Sequence, residues 1–294
     1  MSALQQLLPG VPWFDVSDPA SPELDELARR FHLHELQIED CRHRPQRAKT
    51  EEHEPYVFTV LKHLARKDDK TLFDDFDVFL GPDYLITVHQ GACPLLDQLS
   101  RSQQGRTDRL DRIFYRLIDL VVDDYLVLLD EIAEQVSDVE SEVLQHPEPP
   151  VLRRIFRLKR KLIDFRRVAG NMREVVNTLM RHENGLLGDD LDPYFRDLYD
   201  HLVRTTDLIE TYRDLLTGSL DIYLSAVANR TNQVMKILTI WGTASLPLVI
   251  ITGFFGMNLP LPWTGRVHGT LLASGLMVVS AALVLLYFRR KGWF

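Results

Sequence analysis

Apolar and polar positions change their period along the chain, and each period predicts a different kind of element. Up to about residue 105, apolar residues alternate through Tyr56–Leu64, Phe76–Leu80 and Tyr84–His89, which predicts strands, and Gly81-Pro82-Asp83 supplies the turn between the last two. A helix is expected near Pro22 to His32, so residues 1–105 read as a small α/β unit. From Arg109 the period becomes helical. Leu117, Val121, Tyr125, Leu128, Ile132, Val136, Val139 and Val143 form one continuous stripe at steps of three and four. Pro147, Pro149 and Pro150 end that helix, and a second, basic helix follows from Val151 to about His182. After a loop from Asn184 to Asp190, Asp192 is placed to cap a third helix with Pro193 in its first turn. No strong breaker follows before the next apolar run except Gly218, so this helix is expected to continue to Phe255. Its length would be on the order of 90 Å at 1.5 Å per residue. A helix that long needs the two preceding helices or copies of itself beside it, and residues 106–235 therefore read as a helical region and stalk.

Two uncharged stretches close the pattern. Ile237 to Asn258 has 22 residues and Thr270 to Phe288 has 19, each enough to cross a hydrocarbon core of roughly 30 Å. Both read as transmembrane helices, with divisions expected at 236–258, 259–269 and 270–288 and a basic tail at 289–294. A buried hairpin in a soluble protein is the weaker reading, because the two runs flank only eleven residues. Arg230 and Lys236 precede the first span and Arg289, Arg290 and Lys291 follow the second, whereas the connection carries Arg266 and His268. That asymmetry predicts a multi-pass protein with both termini cytoplasmic and Leu259 to Gly269 as an external turn.

Charge sharpens this division. The formal net charge is −8, yet the last acid in the chain is Asp221. The first 221 residues hold 28 strong bases against 42 acids, a formal −14, and the remainder is mildly basic. Neither part has a net-basic footprint for nucleic acid. Cys41 and Cys93 make no CxxC pair and no disulfide framework, and a reducing, cytosolic setting suits them. The first thirty residues contain five acids and no apolar run, so no cleaved signal peptide is expected.

The first span carries a seam. Starting at Asp221, steps of four and three pass through Ser225, Ala228, Asn232, Met235, Thr239, Gly242, Leu246, Val249 and Gly253. A 3.5-residue repeat keeps one face on a common axis. The opposite face is expected to hold Ile237, Leu238, Ile240, Trp241, Leu248 and Ile251, which suit lipid or neighbouring helices. Polar groups at membrane depth are expensive, so a row of amide, hydroxyl and glycine positions points to a water-filled axis between identical helices. Tight dimer packing through small residues is the competing reading of the same row. Pro247 is a permitted kink within the span.

The seam ends at Phe255-Gly256-Met257-Asn258, and here the sequence resembles the CorA-type divalent-cation channels, which carry a Gly-Met-Asn signature just outside the first of two C-terminal spans. The resemblance extends to Leu36-Gln37-Ile38-Glu39-Asp40 with Arg44-Pro45, to Asp119–Leu129, to the segment from Pro193 to His201, to Asp221–Ile240 and to the basic-aromatic tail Arg289–Phe294. It implies an α+β cytosolic domain, a long helical stalk and two C-terminal transmembrane helices in a funnel-shaped homopentamer of the plasma (bacterial inner) membrane. It implies Mg²⁺ as the usual transported ion, with Co²⁺ or Ni²⁺ also accepted. Gly256, Met257 and Asn258 would then form the filter. Asp221, Ser225, Asn232, Met235, Thr239, Leu246, Val249 and Gly253 would line the pore, with Met235 and Leu246 as apolar constrictions. The resemblance also implies a regulatory Mg²⁺ between subunits, held by Asp40 and Asp197, with Glu39 and Asp200 as weaker candidates.

Two departures from that pattern stand out. Phe255 occupies a position where the family commonly has Tyr, and the loop Leu259 to His268 contains no acid, where many relatives carry Glu. Zinc-transporting members of the superfamily often have neutral loops, so a zinc-type transporter is the nearest alternative. A membrane-anchored helical sensor, whose spans merely hold the stalk, is the alternative from another class. His32-Leu33-His34-Glu35 reads as polar surface rather than a transition-metal site, and Asp74, Asp75 and Asp77 read as the exposed side of a strand edge. With no Ser-His-Asp constellation, P-loop or HExxH, neither an enzyme nor an organic cofactor is expected.

Overall fold

A computed structural model describes residues 4–7, 11–67, 70–103, 109–181, 185–257 and 267–293. The chain divides into two compact units, Met1–Leu220 and Asp221–Phe294. The boundary expected near residue 105 falls inside the first.

The first unit opens with strands β1 (Leu4–Gln6) and β2 (Trp13–Val16), helices α1 (Pro22–Phe31) and α2 (Glu35–Arg42), and strands β3 (Lys49–His53), β4 (Tyr56–Lys67), β5 (Lys70–Leu80) and β6 (Leu85–Val88). They form one six-stranded sheet in the order β1-β2-β6-β5-β4-β3. Only β2 and β6 run parallel. Strand alternation decides the faces: Tyr56, Phe58 and Val60 of β4 join Phe79, Ile86 and Val88 in a core closed by Leu24 and Leu27 of α1 and Ile38 and Cys41 of α2. Each such side chain contributes roughly 1.5–3 kcal/mol by leaving water.

Helix α3 (Pro94–Gln103) leads to two long helices, α4 (Leu110–Gln145) and α5 (Pro149–Leu179). All eight residues of the predicted α4 stripe are buried. The Tyr125 hydroxyl donates to the Lys62 carbonyl at 2.5 Å, and its ring meets Phe73 and Phe165 edge-on, which ties α4 and α5 to β4 and β5. Helix α6 (Asp192–Phe255) starts directly from a 3₁₀ turn at Asp189–Leu191. Asp192 is already helical (φ −51°, ψ −46°) instead of capping from outside, because that turn closes the entry. Within the first unit α6 buries Phe195, Leu198, Leu202, Thr205 and Ile209, a run of threes and fours, and Tyr115 of α4 packs edge-on against Phe195.

One expectation is overturned outright. Strand β5 lies inside the sheet, and Asp75 and Asp77, expected on an exposed edge, are 2% and 0% exposed; only Asp74 is solvated. Asp75 pairs with Lys62 and accepts from the Gln46 amide at 2.5 Å, while Asp77 meets Arg44 at 2.6 Å. The partners lie on the neighbouring strand and just beyond α2, so alternation along β5 alone does not reveal them.

His63, buried on β4, has its pKa lowered to about 4, chiefly by desolvation. The unfolded chain therefore takes up a proton that the folded chain refuses, and stability is lost as pH falls from 6.5 towards 4. The shift corresponds to roughly 3 kcal/mol. Denaturant titrations of His63→Gln should show a flatter acid limb than wild type across that window; parallel limbs would contradict the assignment.

The second unit contains the rest of α6 and helix α7 (Val267–Arg290). Both helices are long and apolar enough to cross a membrane. Helix α7 is longer at each end than the 270–288 expected, and Val267–Gly269, expected in the external turn, are helical. The Lys236 ammonium sits 5.9 Å from the Trp293 ring centroid, and Trp293 packs on Phe288, so the start of the first apolar stretch meets the residues after the second. That contact closes an antiparallel hairpin.

Candidate functional site

The seam residues occupy the second unit's portion of α6, where no acid follows Asp221. Asp221, Ser225, Asn232, Met235, Thr239, Leu246, Val249 and Gly253 are all exposed in the single chain, Met235 at 55% and Val249 at 65%. A different stripe, Lys236, Ile240, Ala244, Pro247, Ile251 and Phe255, is half-buried or buried. Seam positions precede those of this stripe by one or two residues, roughly 100–200° around the helix, so the two rows lie on different faces. Ile240 and Ile251, expected opposite the seam, thus belong to the hairpin's own contact, while Ile237, Leu238 and Trp241 are exposed. The seam is an unpaired face of mixed small, polar and thin apolar character.

Along this face the Thr239 hydroxyl donates to the Met235 carbonyl at 2.7 Å. Its hydrogen is committed, and its lone pairs remain as acceptors. The helix ends at Phe255, with the Gly256 amide donating to Thr252 O at 2.9 Å and the Met257 amide to Phe254 O at 3.3 Å. Met257 is half-exposed, while Asn258 and the acid-free residues 259–266 lie outside the described residues.

The candidate regulatory acids all belong to the first unit. Asp40 on α2 holds the Lys49 ammonium at 2.7 Å, and Glu51 holds it at 2.5 Å. Burial works against charge at Lys49, but the hydrogen bonds to Asp40 and Glu51 outweigh it and raise its pKa. Glu51 is likewise desolvated, yet Lys49 and Gln37 pull its pKa down. Asp40 thus shares one ammonium with Glu51 inside its own chain, which leaves the three groups one negative charge, and a cation at Asp40 would compete with Lys49. Glu39 is exposed, 3.6 Å from His43. Asp197 and Asp200 lie exposed on α6, Asp197 within 3.9 Å of the His201 ring. No group of three or more His, Cys, Asp or Glu able to hold a metal occurs among the described residues of one chain.

Sequence reasoning missed the surroundings of Asp197. Asp119 on α4 has its pKa raised by burial, by Asp123 and, more weakly, by Asp197, while Tyr115 and His201 oppose the rise. Tyr115 is raised in turn by burial and by Asp119. Asp119 thus feels like charge from its own helix and from α6 at once. The signal available in sequence is Asp119 and Asp123 at a spacing of four, an unfavourable like-charge pair on one helix face. Their approach to Asp197 becomes visible only in the packed structure. His34, weighed as a metal ligand, instead caps α2, its Nδ1 accepting from the Leu36 amide at 3.2 Å.

Comparison with known proteins places this geometry in context. The family described as CorA-like Mg²⁺ transporter protein matches residues 10–290. The cobalt/magnesium transport protein CorA of Thermotoga maritima is 37% identical over 273 residues, which cover 90% of this chain and 77% of that protein. The complete structure of the CorA magnesium transporter from Methanocaldococcus jannaschii superposes with a TM-score of 0.86 at 25% identity, covering 96% of this chain and 91% of that one. The cytoplasmic domain of ZntB from Vibrio parahaemolyticus superposes with a TM-score of 0.65 at 12% identity, covering 74% and 88%, a likeness of fold alone.

Proposed function

Since the chain belongs to the CorA-like Mg²⁺ transporter family, we propose that it is a homopentameric channel for hydrated divalent cations, Mg²⁺ with Co²⁺ and Ni²⁺, lying in the bacterial inner membrane with both termini cytoplasmic. The observation that carries this reading is the unpaired 3.5-residue face of α6, which ends at Gly256 in a hairpin without a single acid. Five such faces around one axis give each exposed seam residue a place on a conduit. Tight dimerisation would cover only part of it.

Each position then has a task. Asp221 forms an acidic ring that concentrates cations at the inner mouth. Asn232 and Thr239 offer neutral acceptors, while Met235 and Leu246 form apolar constrictions that gate by excluding water. Mg²⁺ releases its water reluctantly, so a ring of Asn258 side chains with Gly256 carbonyls binds the ion through its hydration shell, and weak capture keeps release fast. The membrane potential supplies the drive, roughly 4.6 kcal/mol for two charges at 100 mV. Mg²⁺ uptake into proteoliposomes tests this: wild type should show saturable flux and Asn258→Ala almost none. Equal flux from both would return the protein to the sensor class. Because the external loop is acid-free, the same assay run with Zn²⁺, with and without a pH gradient, distinguishes a zinc-type transporter.

Closure is assigned to Mg²⁺ bound between subunits by Asp197 and the neighbour's Asp40, with Asp119 and Asp123 supporting Asp197 and with Glu39 and Asp200 at the margin. The repelling carboxylates draw the domains together when the ion is present and release them when it leaves. Asp40→Ala with Asp197→Ala should raise the internal Mg²⁺ needed for half-maximal closure by about tenfold or more, since a lost charge-assisted contact costs roughly 1.5–3 kcal/mol. Flux from the double variant that stays fully inhibited at the wild-type Mg²⁺ concentration would refute the assignment.

A further inference from the structure

Helix α5 is anomalous for this protein. It carries nine Lys or Arg against two acids, in a part of the chain whose formal charge is −14. Some of the bases have structural partners: Arg154 pairs with Glu142 at 2.8 Å, and Lys159 donates to Thr217 at 2.9 Å. Others follow one face. Arg153, Arg157, Arg160, Asp164 and Arg167 recur at steps of four and three, an exposed basic row interrupted once by Asp164, and half-buried Asn171 follows four residues on.

That row runs into a groove. A cavity of about 760 Å³ lies between α5 and the β4–β5 hairpin, within the range of roughly 300–1,000 Å³ typical of small-molecule sites. Its rim is net basic, formed by Arg47, by Lys161, which already has a partner within the fold, and by Arg167, 3.7 Å from Asp164, the one acid lining the groove. Lys62 also reaches it but is committed to Asp75. Arg47 is held in place, its Nε donating to Asn171 Oδ1 at 2.9 Å. The floor is apolar: Phe73, half-exposed and stacked on Phe165, with Leu128 and Val168. A basic rim over a partly open aromatic floor fits a ligand that is polyanionic at one end and flat and apolar at the other. Stacking suits the flat end, and charge-assisted hydrogen bonds from guanidinium groups suit the other.

We propose that this groove binds a nucleoside polyphosphate, its base against Phe73, Leu128 and Val168 and its phosphates among Arg47, Lys161 and Arg167. The site stands apart from the conduction reading, because it lies wholly in the first unit and its occupancy is read without any flux. Metal-free nucleotide carries two more negative charges than its Mg²⁺ complex, so the basic rim favours the metal-free form.

Calorimetric titration of the full chain in detergent tests this, with ATP and inorganic tripolyphosphate as probes in the presence of a chelator. ATP should bind saturably near one per chain, and tripolyphosphate about tenfold or more weaker, because base–aromatic stacking is worth roughly 1–3 kcal/mol. Lys161→Gln with Arg167→Gln should weaken ATP by about tenfold or more. Arg47→Gln, at an exposed position, should weaken it too and serves if the double variant does not fold. Excess Mg²⁺ should lower the affinity. Absence of saturable ATP binding, equal affinity for tripolyphosphate, or indifference to the neutralising substitutions would overturn the proposal.

Discussion

Gly256→Ala is expected to reduce Mg²⁺ flux by between one and two powers of ten while leaving the unfolding of the first unit unchanged. A Cβ at Gly256 would lie 2.9 Å from the Thr252 carbonyl oxygen, closer than real Cβ contacts, and the obstructing atom is backbone. No flexible side chain can swing away. The last turn of α6, whose closing bond is the Gly256 amide to that same oxygen, must open instead. Strain of this kind costs roughly 1–3 kcal/mol, which is one to two decades if it falls wholly on the population of the conducting form. Met257 and Asn258 are the next residues, so their aim is the quantity lost. Proteoliposome uptake of the purified variant, beside a thermal melt, is the measurement; wild-type flux would show that the glycine is dispensable there.

Arg44→Met is expected to destabilise the first unit by about 3–5 kcal/mol, the usual consequence of stripping the partner from a buried charge. Arg44 donates to Asp77 Oδ2 at 2.6 Å, to the Asp75 carbonyl at 2.5 Å, to the Cys41 carbonyl at 2.9 Å and to the Val88 carbonyl at 3.3 Å. One side chain thus connects α2's end to two central strands. Burial pushes Asp77 up to about 7, with the Arg44 guanidinium pulling the other way. The folded state therefore holds a proton between 3.8 and about 7 that the unfolded chain has lost, so this group favours folding at low pH and withdraws that support as pH rises through 7. In Arg44→Met the carboxyl loses its counter-charge and prefers to stay protonated, so the loss should be larger at pH 8 than at pH 5.5. Denaturant titration of the full chain in detergent at the two values measures it; a loss independent of pH would place the cost in the backbone hydrogen bonds alone.

Long, strictly periodic elements were legible from sequence, and short or long-range features were not. The eight-residue stripe of α4 spans seven helical steps, enough for period to outvote propensity, and every member is buried. Strands β1 and β2 have three and four residues, too few for alternation to register, and eight-residue α2 has no clear apolar face. Asp75 and Asp77 were misread because their partners, Lys62 and Arg44, come 13 and 33 positions earlier. The seam was readable because it needs only one helix and one repeat. The approach of Asp197 to Asp119 needs α4 and α6 packed together, and nothing local to either helix announces it.

If the seam lines the conduit as proposed, the hydroxyl of Thr239 has a corollary for the sign of the permeating charge. Because its hydrogen is spent on the Met235 carbonyl, it has nothing to offer chloride or phosphate, which demand donors. An anion reaching that level of the proposed conduit would exchange its water for an oxygen with no hydrogen to give. Discrimination against anions at that level thus needs no fixed negative charge in the bilayer.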